Sequence, residues 1–368
     1  MTTINFGKTV TLKQAAALIA SCPEIKFFLQ GEPGIGKSSV LPIVNRMMPG
    51  HLPSYIDVST MDLGDIGYPA MDHEAKVARF YPNARFRMTE KKPVIIMMDE
   101  FTKGMDPVKN MLHPLLEVNN PRLGDVPLPA GSIVFLTGNL ASDGVGDSLK
   151  GHSRSRVTVL HVSKPSADEW LAWAITVGSE ASTEGRADKK RIEPVVLAWV
   201  RQYPQALASY LDEGQTENPY IYNPRKQQQS YVTPRSLELV SHIVRNRDSF
   251  DEDSLLAAMS GTIGESAARD MQAYIAYQDQ LPTWETIIAN PDTAKVPDSV
   301  GACAVLVYGA VQRVTKESLP AFMTYVERFS PEWQAVFAVN MAQTRQSVAF
   351  TCKAFTNWVQ RNQDVLGA

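Results

Sequence analysis

The segment "QGEPGIGKSS", residues 30–39, places three glycines, a lysine and two serines directly after the apolar run "KFFL". It matches the phosphate-loop pattern G-x-x-x-x-G-K-[ST] at Gly31, Gly36, Lys37 and Ser38. Glycines let consecutive backbone N–H groups point into one concavity, where they and the following helix N-terminus hold phosphate oxygens. In this pattern Lys37 reaches the β- and γ-phosphates, and the Ser38 hydroxyl holds magnesium. We therefore predict a site for ATP and Mg²⁺ formed by Gly31, Glu32, Pro33, Gly34, Ile35, Gly36, Lys37, Ser38 and Ser39.

Two adjacent acids end a second apolar run, "VIIMMDE". Asp99 and Glu100 follow a predicted buried strand, and ligands collect at the carboxyl ends of strands in open α/β sheets. An aspartate there can hold magnesium together with Ser38, and a glutamate can deprotonate the attacking water. We predict that Asp99 serves the metal and that Glu100 is the general base.

A polar amide ends a third apolar run, "IVFLTGN". Asn139 in that position could contact the γ-phosphate or the attacking water. "TGN" is also good turn chemistry, so a turn-forming asparagine is an equal alternative.

Strands and helices alternate through the first half of the chain. Apolar runs predict strands at "KFFLQ", "SYIDVS", "PVIIMMDE", "GSIVFLTGN" and "RVTVLHV". Thr11 and Gln14 form a capping box before an alanine-rich helix. A helix is also predicted after the glycine loop, although Pro42 lies in its early turns, and another helix is predicted to break at Pro114. This alternation predicts an α/β layer with a parallel sheet.

Helices dominate from the capping box of Ser166 and Glu169 onward. Polar connections are predicted at "ASTEGRADKK" and "ENPYIYNPRKQQQS", and a proline-rich linker at "LPTWETIIANPDTAKVPDSV". The apolar stretch "VGACAVLVYGAV" is too short to span a bilayer and predicts a buried helix. We predict three domains: a nucleotide-binding domain over 1–163, a helical domain over 164–250 and a helical extension over 251–368.

Composition and charge restrict the class of protein. The chain has 368 residues and a net charge of -3, so it has no bulk attraction to nucleic acid or to anionic membranes. Its cysteines, Cys22, Cys303 and Cys352, are far apart and form no CxxC pair, which favours reduced thiols over a disulfide framework or a zinc site. The first residues, "MTTINFGKTV", lack the pattern of a signal peptide. These features predict a cytoplasmic protein that is not bound to a membrane.

Over about residues 10 to 250 the chain resembles an AAA+ ATPase. The resemblance depends on a succession of motifs: the phosphate loop, "DE", a strand ending in Asn, "GHSRSRV" and "VTPRSLEL". The MoxR-like branch is resembled in three segments: "DVSTMDLGDIGYP", a hairpin predicted at "PRLGDVPLPAGS", and "TPRS". The C-terminal part resembles the extension of phage- and prophage-type members. The resemblance implies an AAA+ core with a helical lid. It also implies ATP hydrolysis in a homo-oligomeric ring, most commonly a hexamer, which remodels or assembles other proteins. MoxR-like proteins commonly act with a von Willebrand factor A domain protein. This chain shows no DxSxS motif of such a domain, so that partner would be a separate protein.

The resemblance also implies roles for residues outside the glycine loop. Asn139 matches sensor 1, and Arg235, which follows Thr233 (N-cap) and Pro234 (N1), matches the sensor 2 arginine. Arg156 matches the arginine finger that completes the site of the neighbouring subunit, with Arg154 as the alternative. A surface basic cluster is the other interpretation of this pair.

Other functions share parts of this pattern. A DNA-linked AAA+ motor has the same nucleotide motifs, but the negative net charge and the lack of a basic, aromatic-interleaved stretch argue against nucleic acid. A nucleotide-gated scaffold with little turnover is a further alternative, against which Glu100 argues, and a P-loop small-molecule kinase is a more distant one. Tyr68 is expected to pack at the base of its loop, with contact to a substrate chain in a ring pore as the alternative.

Overall fold

The computed structural model describes residues 8–140, 149, 151–183, 192–224, 226 and 228–363. The chain divides into two compact units, Met1–Lys164 and Pro165–Ala368, which we call the first unit and the second unit. The predicted connection over 181–190 lies mostly outside the described residues, and its first three residues belong to a helix.

The described residues of the first unit form nine strands, five of which make one parallel sheet in the order β2-β5-β8-β1-β9. This sheet confirms the predicted α/β P-loop fold and the five predicted strands. The strands are β1 (Phe27–Gln30), β2 (Leu52–Asp57), β3 (Gly67–Asp72), β4 (Val77–Pro82), β5 (Val94–Asp99), β6 (Arg122–Leu123), β7 (Val126–Pro127), β8 (Ile133–Gly138) and β9 (Thr158–His161).

Strands β5 and β8 are buried along their whole length, as continuous apolar runs require in a sheet covered on both faces. Successive side chains point to opposite faces, so β5 contributes to two separate cores. Ile95 and Met97 pack with Ile19 on one face. Ile96 and Met98 belong to the core on the other face.

The helices in the described part of the first unit are α1 (Leu12–Ser21), α2 (Val40–Met47), α3 (Asp106–Leu112) and α4 (Gly151–Arg154). The predicted capping box of Thr11 and Gln14 begins α1. Pro42 does not interrupt a longer helix, because a 3-10 turn over Lys37–Ser39 comes first and α2 begins only at Val40. The proline therefore lies in the first turn, where a helix leaves its N–H groups unbonded. Helix α3 ends before Pro114, and the chain continues as a 3-10 turn.

Two hairpins project from the strand–helix succession. The predicted hairpin before the Asn139 strand is confirmed as β6 and β7. The sequence analysis did not predict the hairpin of β3 and β4. Tyr68 lies on β3 and is 65% exposed, so the expectation that it packs at a loop base is wrong.

The second unit is helical. Its helices are α5 (Ala167–Thr183), α6 (Pro194–Gln202), α7 (Pro234–Arg245), α8 (Glu252–Ile263), α9 (Glu265–Asp279), α10 (Trp284–Ala289), α11 (Val300–Arg313), α12 (Leu319–Val326), α13 (Pro331–Thr344), α14 (Gln346–Ala349) and α15 (Lys353–Arg361). The Ser166–Glu169 capping box is present, and α11 is the predicted buried helix. The predicted linker contains α10, so it is not wholly irregular.

One hydrophobic core runs through the second unit and includes residues on both sides of position 250, such as Trp199, Val240, Met259 and Val307. The division into a domain over 164–250 and an extension over 251–368 stays a prediction. Cys22, Cys303 and Cys352 are free thiols. Among the described helices, none combines the length and apolarity needed to cross a bilayer.

Candidate functional site

The glycine loop connects the buried end of β1 to the 3-10 turn that precedes α2, as its sequence predicts. Gly36 has a φ of 95°, a left-handed conformation that side chains with a Cβ adopt only with strain. At Gly31 an added Cβ would come within 2.8 Å of the Val162 carbonyl oxygen. The Ser39 hydroxyl donates to the Gly36 carbonyl at 2.7 Å and so closes the loop on itself. The pattern glycines are therefore needed for the shape of this loop.

Lys37 curls back over the loop, and its side chain is almost fully buried. Its ammonium donates to the carbonyl oxygens of Gly31, at 2.9 Å, and Glu32, at 2.8 Å. It also donates to Oδ1 of Asn139 at 3.0 Å. The lysine of the loop and the amide that immediately follows β8 thus meet directly, as residues at the carboxyl edge of one parallel sheet can.

Asp99 ends β5 and is nearly buried, with hydrogen bonds to both of its carboxylate oxygens. Oδ2 accepts from the Ser38 hydroxyl at 3.0 Å and from the Tyr55 hydroxyl at 2.7 Å. Oδ1 accepts from the Thr137 hydroxyl. The structure therefore brings together Ser38 and Asp99, the two predicted magnesium ligands.

Glu100 follows Asp99 but leaves the strand, with a left-handed φ of 52°. Its backbone N–H donates to the Thr137 hydroxyl at 3.3 Å. Both of its carboxylate oxygens lie 3.4 Å from Nδ2 of Asn139. The ammonium of Lys103 lies 2.6 Å from Oε2. The predicted base and the predicted sensor amide are therefore in contact, and Asn139 contacts functional groups rather than forming only a turn.

Three residues of this cluster were missed by the sequence analysis: Tyr55, Thr137 and Lys103. Thr137 could have been found, because it immediately precedes the "GN" that ends β8. The register of β5 and β8 pairs Met98 with Leu136, so Asp99 and Thr137 come next to each other. Tyr55 and Lys103 carry no motif, and their roles depend on the positions of neighbouring segments.

The predicted arginines belong to other elements of the chain. Arg154 ends α4, and Arg156 lies two residues before β9 begins; both are exposed. Strand β9 is parallel to β1, and Thr158 pairs with Phe27. Arg156 is therefore at the amino edge of the sheet, whereas the glycine loop is at the carboxyl edge. Arg235 is exposed in the first turn of α7, in the second unit.

The oxygen atoms of this cluster suit magnesium. Mg²⁺ prefers hard oxygen ligands and is commonly bound by one or two carboxylates together with substrate phosphates and water. Ser38 and Asp99 offer a hydroxyl and a carboxylate that already form a hydrogen bond, beside the loop predicted to bind phosphate. Within the described part of the chain, no group of three or more His, Cys, Asp or Glu side chains could hold a metal without such a substrate. The donor set therefore fits a metal that arrives with a nucleotide.

Comparison with known proteins gives distant structural likenesses only. No protein-family model and no curated protein matches the chain. The chain is similar to the RuvB Holliday junction branch migration motor of Thermotoga maritima, with 16% identity, a TM-score of 0.36, and 85% of this chain and 86% of that chain covered. A RuvB mutant from the same organism shares 15% identity, with 75% of each chain covered and a TM-score of 0.36. A candidate ATPase from Cytophaga hutchinsonii shares 14% identity, with 70% of this chain and 82% of that chain covered and a TM-score of 0.34. Likeness at this level carries no activity over to this chain.

Proposed function

We propose that this protein is a magnesium-dependent ATPase of the AAA+ kind. The observation that carries the proposal is the convergence of Lys37, the Ser38–Asp99 pair and Glu100 at one edge of the sheet. Each supplies one requirement of phosphoryl transfer to water: a cation for the phosphates, oxygen ligands for magnesium, and a base.

The binding step follows from the loop. Its backbone N–H groups donate hydrogen bonds to the phosphate oxygens. The Lys37 ammonium gives up its hydrogen bonds to the carbonyl oxygens of Gly31 and Glu32 and binds β- and γ-phosphate oxygens instead. Ser38 and Asp99 would hold magnesium, which neutralises charge on the phosphates. The Tyr55 and Thr137 hydroxyls fix the Asp99 carboxylate in place.

The chemical step uses Glu100 and Asn139. The attacking water gives a proton to the Glu100 carboxylate, and its oxygen bonds to the γ-phosphorus. The bond from that phosphorus to the bridging oxygen breaks, and ADP leaves with the electron pair. Asn139 contacts both Lys37 and Glu100, so it can align the base with the phosphate.

Two substitutions test this proposal by phosphate release and nucleotide binding. Lys37→Ala should abolish tight ATP binding, because the phosphates lose their cation. Glu100→Gln should keep ATP binding and lower turnover by about two to four orders of magnitude, because an amide cannot accept the proton. Unchanged affinity in the first variant, or normal turnover in the second, would contradict the assigned roles.

We further propose that the protein works as a homo-oligomeric ring, with a hexamer as the expected form. Arg154 and Arg156 support it by position. They precede β9 at the amino edge of the sheet, about four residues of strand, or roughly 13 Å, from the carboxyl edge where the subunit's own loop lies. An arginine at that edge is better placed to serve a neighbouring subunit than its own. Arg235 is proposed to act on its own subunit's nucleotide from the second unit.

Mixing experiments test the ring. Arg156→Ala protein should bind ATP but hydrolyse it poorly, and mixing it with Lys37→Ala protein should restore activity. Mixed rings contain interfaces that pair an intact loop with an intact arginine, and neither pure variant has one. The same mixture with Arg154→Ala separates the two candidates, because only the true finger variant both fails alone and complements. If neither mixture gains activity although the subunits exchange, the shared site is refuted and a scaffold is favoured.

The work done with ATP is proposed to be the remodelling or assembly of other proteins in the cytoplasm, as for MoxR-like proteins. Three free thiols support a reducing compartment. A separate protein with a von Willebrand factor A domain is the expected partner. Co-purification from the native host on the Glu100→Gln protein, read by mass spectrometry, tests this. Salt-dependent binding of DNA by the purified protein would instead favour the DNA-linked motor.

A further inference from the structure

The carboxylate of Glu100 is held by an ion pair that no motif predicts. Lys103 Nζ lies 2.6 Å from Glu100 Oε2. Glu100 immediately precedes a 3-10 turn over Phe101–Lys103, and Lys103 is the last residue of that turn. The Lys103 N–H donates to the Glu100 carbonyl at 2.9 Å. Side chains three residues apart lie over each other in a 3-10 helix. The turn therefore sets the lysine directly beside the carboxylate.

The same carboxylate is connected to the phosphate loop through one amide. Asn139 accepts from Lys37 at Oδ1 and lies within 3.4 Å of both Glu100 oxygens at Nδ2. A chain of contacts therefore runs from Lys37 through Asn139 and Glu100 to Lys103. In the proposed complex a γ-phosphate competes for the Lys37 ammonium and so acts on one end of this chain of contacts, whereas the ion pair with Lys103 lies at the other end.

We propose that Lys103 is a positioning residue that restrains Glu100 in a resting position, so that the ion pair must open before Glu100 takes the proton of water. This inference rests on the proposed ATPase function. Oε2 is engaged by the ammonium at 2.6 Å, so the carboxylate cannot rotate toward a water without lengthening that contact. Both side chains are about one third exposed, so water can replace either partner. Such a pair is weak enough to open during turnover.

Another lysine nearby offers a matched control. Lys109 forms an ion pair with Asp106 at 3.1 Å, also three residues apart, at the start of α3. Its ammonium also lies 3.5 Å from the Thr102 carbonyl oxygen. The substitutions Lys103→Met and Lys109→Met each remove one cation of an i,i+3 pair, but only the first changes the surroundings of Glu100.

The test measures kcat and KM for ATP by phosphate release, with thermal unfolding as a check that each variant folds. Lys103→Met should raise kcat about two- to fivefold and leave KM unchanged, because it removes the coupling of a partly exposed ion pair. Lys103→Arg keeps the pair and should not show the rise. Lys109→Met should behave as wild type. Combining Lys103→Met with Glu100→Gln should be as inactive as Glu100→Gln alone, because the gain acts through Glu100.

The outcomes separate the inference from the function on which it rests. Suppose that the wild type is active and Glu100→Gln is inactive. If folded Lys103→Met then shows an unchanged or lower kcat, the proposed restraint is overturned and the ATPase proposal stays intact. A rise that also occurs in Lys109→Met overturns it as well. A wild type that releases no more phosphate than Glu100→Gln refutes the proposed function, and the inference falls with it.

Discussion

The Thr137 hydroxyl forms hydrogen bonds with both acids of the site, Asp99 and Glu100. Replacing Thr137 by valine therefore tests the arrangement of the site. The side chain is fully buried. Its hydroxyl donates to Asp99 Oδ1 and accepts the N–H of Glu100 at 3.3 Å. Valine has nearly the shape of threonine, so Thr137→Val removes these bonds with little change in packing volume.

The expected magnitude follows from these two bonds. Losing a hydrogen bond to a charged group costs about 1.5–3 kcal/mol, and an N–H left without an acceptor adds to this. Asp99 keeps its bonds from Ser38 and Tyr55 on Oδ2, so the lower part of the range applies to the carboxylate itself. If Thr137→Val lowers the free energy of opening the sheet by about 1.5–3 kcal/mol, the backbone amides that exchange only when the sheet opens should lose roughly ten- to hundredfold of their protection.

Hydrogen exchange read by mass spectrometry measures this effect on peptides that cover β5 and β8. The tryptophans give an internal control, because all of them belong to the second unit and their fluorescence reports its folding separately. They are Trp170, Trp173, Trp199, Trp284, Trp333 and Trp358. Thr137→Ser keeps the hydroxyl and should retain most of the protection. Equal protection in the valine and wild-type proteins would refute the claim that this hydroxyl supports the site.

Two further predictions concern single side chains. Lys26→Met should raise the thermal stability of the first unit at pH 7, because the Lys26 side chain is buried and burial lowers the pKa of its ammonium below the ordinary 10.5. The wild-type protein should gain stability as pH rises toward 10.5, because the buried ammonium loses its proton more readily in the folded state than in the unfolded state. In melting curves at several pH values, the difference in melting temperature between Lys26→Met and wild type should therefore shrink over that range. A difference that stays constant with pH would contradict this explanation. Ser38→Ala should weaken ATP binding much more in the presence of magnesium than in its absence, because the Ser38 hydroxyl bonds to Asp99 at the proposed metal site. Ser39→Ala should weaken ATP binding equally with and without magnesium, because the Ser39 hydroxyl bonds to the Gly36 carbonyl within the loop. Equilibrium titrations with ATP, with and without the metal, distinguish the two variants.

The inner strands β5 and β8 of the central sheet were predictable because they are buried on both faces. A strand covered on both sides must be apolar at every position, and the runs around Ile95 and Val134 satisfy that condition. The hairpin of β3 and β4 was not predictable by the same rule. Its side chains are mostly exposed, and "GYPAMD" contains a glycine and a proline that usually mark turns. It is held by the antiparallel pairing, by the ion pair between Asp72 and Arg79, and by Phe80, which packs against the core on one face of the central sheet.

The residues of the site also divide into those that the sequence could predict and those that it could not. Lys37, Ser38 and Asp99 were predictable because phosphate and magnesium chemistry demands those residue types directly after buried strands. Tyr55 was not, because a tyrosine in an edge strand gives no sign that its hydroxyl reaches the end of the next strand. Lys103 was not predictable either, because its contact depends on the chain forming a 3-10 turn rather than an α-helix after β5.

The two acids also raise a geometric problem that the backbone resolves. Neighbouring side chains of an extended strand point to opposite faces, so adjacent acids within a strand could not both line one site. Asp99 is the last residue of β5, and Glu100 turns out of the strand in a left-handed conformation. That conformation costs about 1–2 kcal/mol for a residue with a Cβ. The Glu100 N–H bond to Thr137 and the contacts of its carboxylate with Asn139 and Lys103 offset this cost. Backbone strain of this kind persists where the surrounding contacts hold the residue in place. Here it sets Glu100, the proposed proton acceptor, beside Asp99, the proposed metal ligand.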